Sequence, residues 1–337
     1  MIVTDMFLNF LKKISVVILL GYLASCSIPK TDLDPDQMTL LTIEKGKVIG
    51  SSNDKTYQWL GIQYGSIPNS SYRWKKASEI EAWGGIYEAL EFGSTCIQRG
   101  SLINKTKRRN WGEMIGSEDC LYLNVWSPLH SLDSSSRKIP VMVWIHGGSN
   151  VSGNSDFYDP SELVKTQNVI VVSINYRLGP FGWFRHPNIT SNSENAEDQS
   201  GNYGNLDTIQ ALEWVQKNIG YFGGDASNVT IFGESAGGYN VAALLSAKNA
   251  KGLFHKAIIQ SGGIKPGDIV HSESYLEENL PWKNYSSRVL VNQLILNKGM
   301  ASDRDSAKSL QEDMSYSEME GLMRNASSEE IFQAYLT

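Results

Sequence analysis

Two short segments of the chain carry the residue types that attack on a carbonyl requires. In Gly233-Glu234-Ser235-Ala236-Gly237 a serine stands among small residues, directly after the β-prone run 229–232 and at the start of a helical pattern containing Val241, Leu244 and Leu245. A sharp strand-to-helix turn at that point lifts the Ser235 hydroxyl above a sheet, where it can serve as a nucleophile. The second segment, His146-Gly147-Gly148-Ser149, follows the apolar run 141–145. Negative charge grows on a carbonyl oxygen under attack, and backbone N–H groups stabilise it only if they already point there. Glycines let the main chain come that close. The N–H of Ala236, next after the serine, is expected to be a further donor.

These segments need a sheet to hold them. The runs 141–145, 169–174, 229–232 and 257–259 are continuous and apolar, as in strands covered on both faces. Two earlier β-prone runs, 38–49 and 56–64, are separated by the turn-rich 50–54. Between the second and third buried runs, Ile209, Leu212, Val215 and Ile219 fall at helical spacing, with Trp214 alongside. Strands alternating with helices predict an α/β fold, a mostly parallel sheet with helices on both faces. Near the end, Ser327 and Glu330 form a capping-box start for a helix carrying Ile331, Phe332, Tyr335 and Leu336. The chain has neither an internal repeat nor a second-domain linker.

A chain of 337 residues with 41% hydrophobic residues can bury a large core, and its net charge of −6 gives no basic surface for nucleic acid. Without a phosphate loop, a nicotinamide fingerprint or a metal-ligand cluster, no cofactor and no metal are expected. Lys12 and Lys13 precede the uncharged stretch 14–25, which ends Leu23-Ala24-Ser25-Cys26. As a helix it would cover roughly 18 Å, short of the ~30 Å of a bilayer core, so 1–25 is expected to be a signal peptide. Its end resembles a bacterial lipobox, which implies acylation of Cys26 and a membrane partner through a lipid anchor. With Ser27 rather than an aspartate behind the cysteine, outer-membrane sorting is implied, and simple secretion is the alternative. Residues 26–37, with Asp32, Asp34 and Asp36, are expected to be a solvated tether. In an exported chain the remaining thiols, Cys96 and Cys120, are expected to form a disulfide.

Taken together, the motifs resemble the type B carboxylesterase and cholinesterase family of α/β-hydrolases. Ser117-Glu118-Asp119-Cys120 with the following Leu-Tyr-Leu-Asn-Val125 looks like a family signature, and its cysteine would pair with Cys96. Asn175-Tyr176-Arg177-Leu178-Gly179-Pro180, the segment from Gly201 to Asp207, the segment from Asn218 to Asp225, and Gln260-Ser261-Gly262 follow in family order. The resemblance implies a small-molecule ester as substrate and an acyl-enzyme on Ser235. It further implies an oxyanion hole of Gly148, Ser149 and Ala236, with Gly147 and Glu234 in support. Ser149 replaces a family glycine, and Ile62-Gln63-Tyr64-Gly65 replaces a proline-containing signature, so the acyl site and the entrance are expected to differ. Trp111, Tyr158, Trp183 and Phe184 are candidate apolar pocket residues.

The acid and base of the family triad are not evident. After Ser235 the only histidines are His255 and His271. His255 occupies a structural basic position, and an Asp268–His271 pair would draw two triad members from one loop, whereas the family takes them from different strand ends. His130 and His186 fall in expected surface segments. Residues 38–337 are therefore expected to be the N-terminal part of a carboxylesterase domain, with the triad acid and histidine and the C-terminal strands missing. A non-catalytic cholinesterase-like binding module and an inactive truncated product are the alternatives, and oligomeric state is left open.

Overall fold

Apolar runs build the central sheet, and the polar breaks between them set its connections. A computed structural model describes residues 33–133, 138–190, 193, 195–264, 267–275 and 286–336. The stretch 14–25 and Cys26 lie outside the described residues. Residues 35–337 make one folded unit, apart from the first 34. Asp36, placed in the expected tether, belongs to that unit instead: its carboxylate accepts from Met38 N–H at 2.9 Å and from the Ser52 hydroxyl at 2.5 Å.

Among the described residues twelve strands follow in chain order. They are β1 (Leu41–Ile43), β2 (Gly46–Ile49), β3 (Ser51–Ser52), β4 (Thr56–Gln63), β5 (Ile86–Glu88), β6 (Gln98–Arg99), β7 (Met114–Ile115), β8 (Tyr122–Pro128), β9 (Ile139–Ile145), β10 (Ile170–Ile174), β11 (Gly224–Glu234) and β12 (Lys256–Gln260). Seven of them form one sheet in the order β12-β11-β9-β10-β8-β4-β3. The β12-β11-β9-β10 portion is parallel, while β8, β4 and β3 continue it antiparallel, so the sheet is mixed. Val141, Val143 and Ile145 of β9 meet Val229 and Ile231 of β11 and Ile170, Val172 and Ile174 of β10 in a fully buried layer. The crossover helix is Tyr203–Asn218, beginning earlier than the spacing predicts because Tyr203, Leu206 and Thr208 are also buried.

Two buried arginines tie distant segments to this core. Arg177 donates from Nε and Nη2 to Asp207 at 2.8 and 2.6 Å, joining the turn after β10 to the crossover helix. Arg73 pairs with Glu118 and donates from Nη1 to the carbonyls of Met323 and Ala326 at 3.0 and 2.9 Å. The Ser328 hydroxyl joins the cluster at Glu118, 2.6 Å away, so the last helix, Ser328–Leu336, is anchored as well as packed. Its capping box forms as the sequence predicts, with Ser327 and Glu330 exchanging bonds.

One strand departs from expectation. β12 reads as buried but is the exposed edge of the sheet, with Ile258 43% and Ile259 40% exposed. Among the described residues it pairs only with β11, and a continuous apolar run does not reveal whether a second neighbour covers it. Among the described residues no helix is long and apolar enough to cross a membrane.

Candidate active site

Ser235 sits where β11 ends and the helix Ala236–Ser246 begins, with φ 54° and ψ −120°. A side-chain-bearing residue rarely adopts that conformation, which costs on the order of 1–3 kcal/mol. Flanking glycines make it sterically feasible. A Cβ on Gly237 would lie 2.0 Å from the Ile145 carbonyl oxygen, and one on Gly233 would lie 2.6 Å from the Gly237 backbone. The end of β9 and the start of the helix therefore meet at van der Waals contact of bare main chain. The Ser235 N–H donates to the Gln260 carbonyl at 2.9 Å, and its own carbonyl accepts from Tyr239 at 3.0 Å. The side chain is half-buried and thus reachable.

The glycine segment after β9 lies against this turn. A Cβ on Gly147 would come within 2.7 Å of the Glu234 carbonyl oxygen and 3.3 Å of Ser235 Cβ. Beyond it the chain doubles back: Gly148 has φ 103°, Ser149 φ 56° and Asn150 φ 59°. The Gly148 carbonyl accepts from both Val151 and Ser152 N–H at 3.0 Å, which closes the turn. Ser149 takes the left-handed conformation that the glycine it replaces would adopt freely. Ala236 is 6% exposed and follows Ser235 directly, and Gly147 is in contact with the turn, with Gly148 and Ser149 next to it along the chain.

A polar network missed at the sequence level braces the segment. The Tyr176 hydroxyl donates to the His146 carbonyl at 2.5 Å, and the two rings stack with centroids 4.3 Å apart. Asn240, in the helix behind Ser235, donates from Nδ2 to Asn150 Oδ1 at 2.9 Å. The His146 Nδ1 carries its proton, because its partner at 2.8 Å is the Gly147 carbonyl, which can only accept. Burial pushes its pKa down to about 4, so it is neutral and serves as a packed donor. Tyr176 lies within a quoted motif, yet nothing in its spacing distinguishes a brace from a core aromatic.

Glu234 flanks the turn on the side of the glycine segment: its carboxylate Oε2 would lie 3.0 Å from a Cβ on Gly147. Its side chain is exposed, and among the described residues no hydrogen bond reaches its carboxylate.

The histidines spread over the molecule. His255 donates its backbone N–H to the Val229 carbonyl at 2.8 Å, and its ring Nδ1 accepts from Val229 N–H at 3.1 Å. Val229 lies six positions before Ser235 on β11, so this is roughly 20 Å down the strand at about 3.3 Å per residue. His130 follows β8, which runs opposite to β10, and so also belongs to the far end of the parallel strands. His186, expected near the surface, is buried: its Nε2 lies 3.1 Å from Gln311 Oε1, and burial lowers its pKa to about 4. His271 lies in the short helix Ile269–Ser272, whose cap is Asp268 accepting from Val270 N–H at 2.9 Å.

Asp268 and Ser272 border a cavity of about 430 Å³ together with Ser149, Asn150, Trp183 and Tyr335. Of the candidate pocket aromatics, Trp183 and Phe184 border it. Trp111 and Tyr158 do not: the Trp111 indole donates to the Thr106 carbonyl, and Tyr158 packs edge-on against Trp144. Cys96 and Cys120 are joined by the expected disulfide, with Cα atoms 4.9 Å apart and both residues buried.

Comparison with known proteins places the fold that carries this turn in a family. The model of the carboxylesterase family matches residues 37–335. The chain belongs to the carboxylesterase family. It is 44% identical over 225 residues to the para-nitrobenzyl esterase of Bacillus subtilis (strain 168), covering 66% of this chain and 43% of that protein. Against the human cocaine esterase the identity is 38% over 242 residues, covering 68% and 42%. A solved para-nitrobenzyl esterase structure superposes with a TM-score of 0.68 at 33% identity over 89% of this chain and 54% of that one. A carboxylesterase from Geobacillus stearothermophilus gives 0.64 at 33% identity over 88% and 53%. The chain thus spans about half the length, or less, of the carboxylesterases it matches, and it shares with them the α/β-hydrolase fold.

Proposed function

We propose that this chain carries the nucleophile and oxyanion half of a carboxylic ester hydrolase. Ser235 Oγ attacks the ester carbonyl and the alcohol leaves, giving an acyl-enzyme that water then hydrolyses. The N–H groups of Gly148, Ser149 and Ala236 hold the oxyanion, and Gly147 keeps the segment against the turn. The observation that carries this reading is the positive φ of Ser235 at a turn packed against Gly147. Activation of the hydroxyl needs a base, and the positions of His130, His146, His186 and His255 remove them as candidates. We further infer that the acid and base completing the unit do not come from these 337 residues.

Capture of the protein by a fluorophosphonate, followed by mass spectrometry, tests the reading. Slow labelling confined to Ser235, accelerated by imidazole as an external base and absent in Ser235→Ala, is expected. No labelling at any imidazole concentration would overturn the acyl-enzyme reading. Fast labelling that is lost in His271→Ala would instead assign the base to this chain.

Membrane attachment through Cys26 is part of the same proposal and rests on the lipobox-like Leu23-Ala24-Ser25-Cys26. Incorporation of labelled palmitate in a bacterial host is expected to disappear in Cys26→Ser. Undiminished incorporation would remove the anchor.

A further inference from the structure

The glycine segment that faces Ser235 has to be held at both ends. Its first end is continuous with β9. Its second end, at Ser152 and Gly153, is held by Gln98, a side chain with no exposure to solvent that lies two positions after the disulfide cysteine Cys96. Gln98 Oε1 accepts from the Gly153 N–H at 2.8 Å, the Ser152 hydroxyl at 3.0 Å and Asn104 Nδ2 at 2.7 Å. Its Nε2 donates to the Gly153 carbonyl at 2.8 Å, to Thr95 Oγ1 at 2.8 Å and to the Cys96 carbonyl at 3.1 Å. One carboxamide thus pairs with both the N–H and the C=O of a single residue, as a neighbouring strand would. The same carboxamide is fixed from behind by the disulfide loop and Asn104.

Gly153 is the point where this hold bears on the site. Its φ is 112°, and a Cβ there would strike His146 Nδ1 at 2.4 Å and the Gly147 carbonyl at 2.6 Å. Ser152, the other residue that Gln98 grips, donates its N–H to the Gly148 carbonyl at 3.0 Å and so sets the plane of the peptide leading into Ser149. A shift at Gly153 is therefore passed to Gly147 by contact and to Gly148 by a hydrogen bond. Donor groups that are to meet a developing charge have to be in place beforehand, since reorienting them during the reaction forfeits their benefit.

We propose that Gln98 is a positioning residue for the oxyanion donors, fixing the His146–Gly153 segment so that the Gly148 and Ser149 amides stand ready beside Ser235. The proposal rests on the acyl-enzyme reading for its purpose, and its test separates the two. Gln98→Met keeps the length and burial of the side chain and removes every one of these bonds. Gln216→Met is the comparison, because Gln216 Nε2 donates to two carbonyls, Ala226 and Leu253 at 2.9 Å each, away from Ser235. Amide hydrogen exchange and imidazole-assisted fluorophosphonate capture are measured on both variants and on the unsubstituted chain, with a urea midpoint for each.

In Gln98→Met, exchange over 147–153 is expected to accelerate at least tenfold with β10 and the Tyr203–Asn218 helix unchanged. Capture of Ser235 is expected to slow at least tenfold per folded molecule. In Gln216→Met the midpoint falls and the capture rate holds. Unchanged exchange over 147–153, or a capture rate that falls equally in both variants, would overturn the positioning role. Should Gln98→Met fail to fold, Ser152→Ala, which removes the hydroxyl that donates to Gln98 Oε1 at 3.0 Å and accepts from Asn104 Nδ2 at 3.5 Å, is expected to accelerate the same amides by a smaller factor, and no acceleration there also overturns it. If the unsubstituted chain is never captured, the acyl-enzyme reading falls while the exchange comparison still decides what Gln98 holds.

Discussion

At the scale of single residues, the site stores strain at the atom that is to react. Ser235 occupies φ 54°, ψ −120°, a region in which glycine meets no Cβ penalty. Ser235→Gly is therefore expected to raise stability by about 1 kcal/mol, the relief of roughly 1–3 kcal/mol of strain less the greater freedom of an unfolded glycine. Ser235→Ala, which keeps the Cβ, should bring no such gain, and a urea titration of both variants checks the difference. Buried histidines supply a second expectation. His146 and His186 are lowered from 6.5 to about 4 by burial, so between those values the unfolded chain takes up protons that the folded chain refuses. Stability is then full above pH 6.5 and falls as the pH drops toward 4, by up to about 1.4 kcal/mol per pH unit for each histidine. Urea midpoints at pH 7, 5.5 and 4.5 should show this decline, and His186→Gln should flatten it.

Among the elements, the loops and the last helices are joined to the sheet by charge as well as by packing. Removing Arg73 would leave Glu118 without its cation and two buried carbonyls without a donor. Arg73→Met is expected to cost about 3 kcal/mol, with part of the loss recovered when Glu118→Leu is added. The strands β4, β9, β10 and β11 and the capped terminal helix were legible in the sequence because each has a local signal, whether an apolar run, a turn or a capping box. So were Ser235 and the Gly147–Gly148 pair, because small residues in a fixed order leave few other uses. Gln98, Tyr176 and Asn240 were not legible. Each acts through a partner at least thirty positions away or through several backbone atoms at once, and no local pattern records that. The exposed edge at β12 escaped for a related reason: burial depends on which neighbour arrives, and a strand's own residues do not name it.

Across the whole molecule, the sheet is well covered on the β10-β8-β4 side and open at β12. An edge strand with no second strand beside it among the described residues, and with Ile258 and Ile259 exposed, is a template for association with another chain. Sedimentation over a range of concentrations is expected to show self-association, and Ile258→Lys, which places a charge on the outer face, is expected to shift the distribution toward monomer. A concentration-independent monomer in the unsubstituted protein would contradict that view of the edge. The cluster around Arg73 has a different consequence, one of timing. Glu118 lies 45 residues downstream of Arg73, whereas the carbonyls of Met323 and Ala326 lie 250 and 253 residues downstream. At a synthesis rate of about 5–20 residues per second, a nascent chain leaving the ribosome waits roughly 10–50 s before those acceptors exist. Until then the guanidinium can satisfy only its carboxylate-facing side, so the helices that bring those carbonyls lock onto a sheet whose strands have all been synthesised before them.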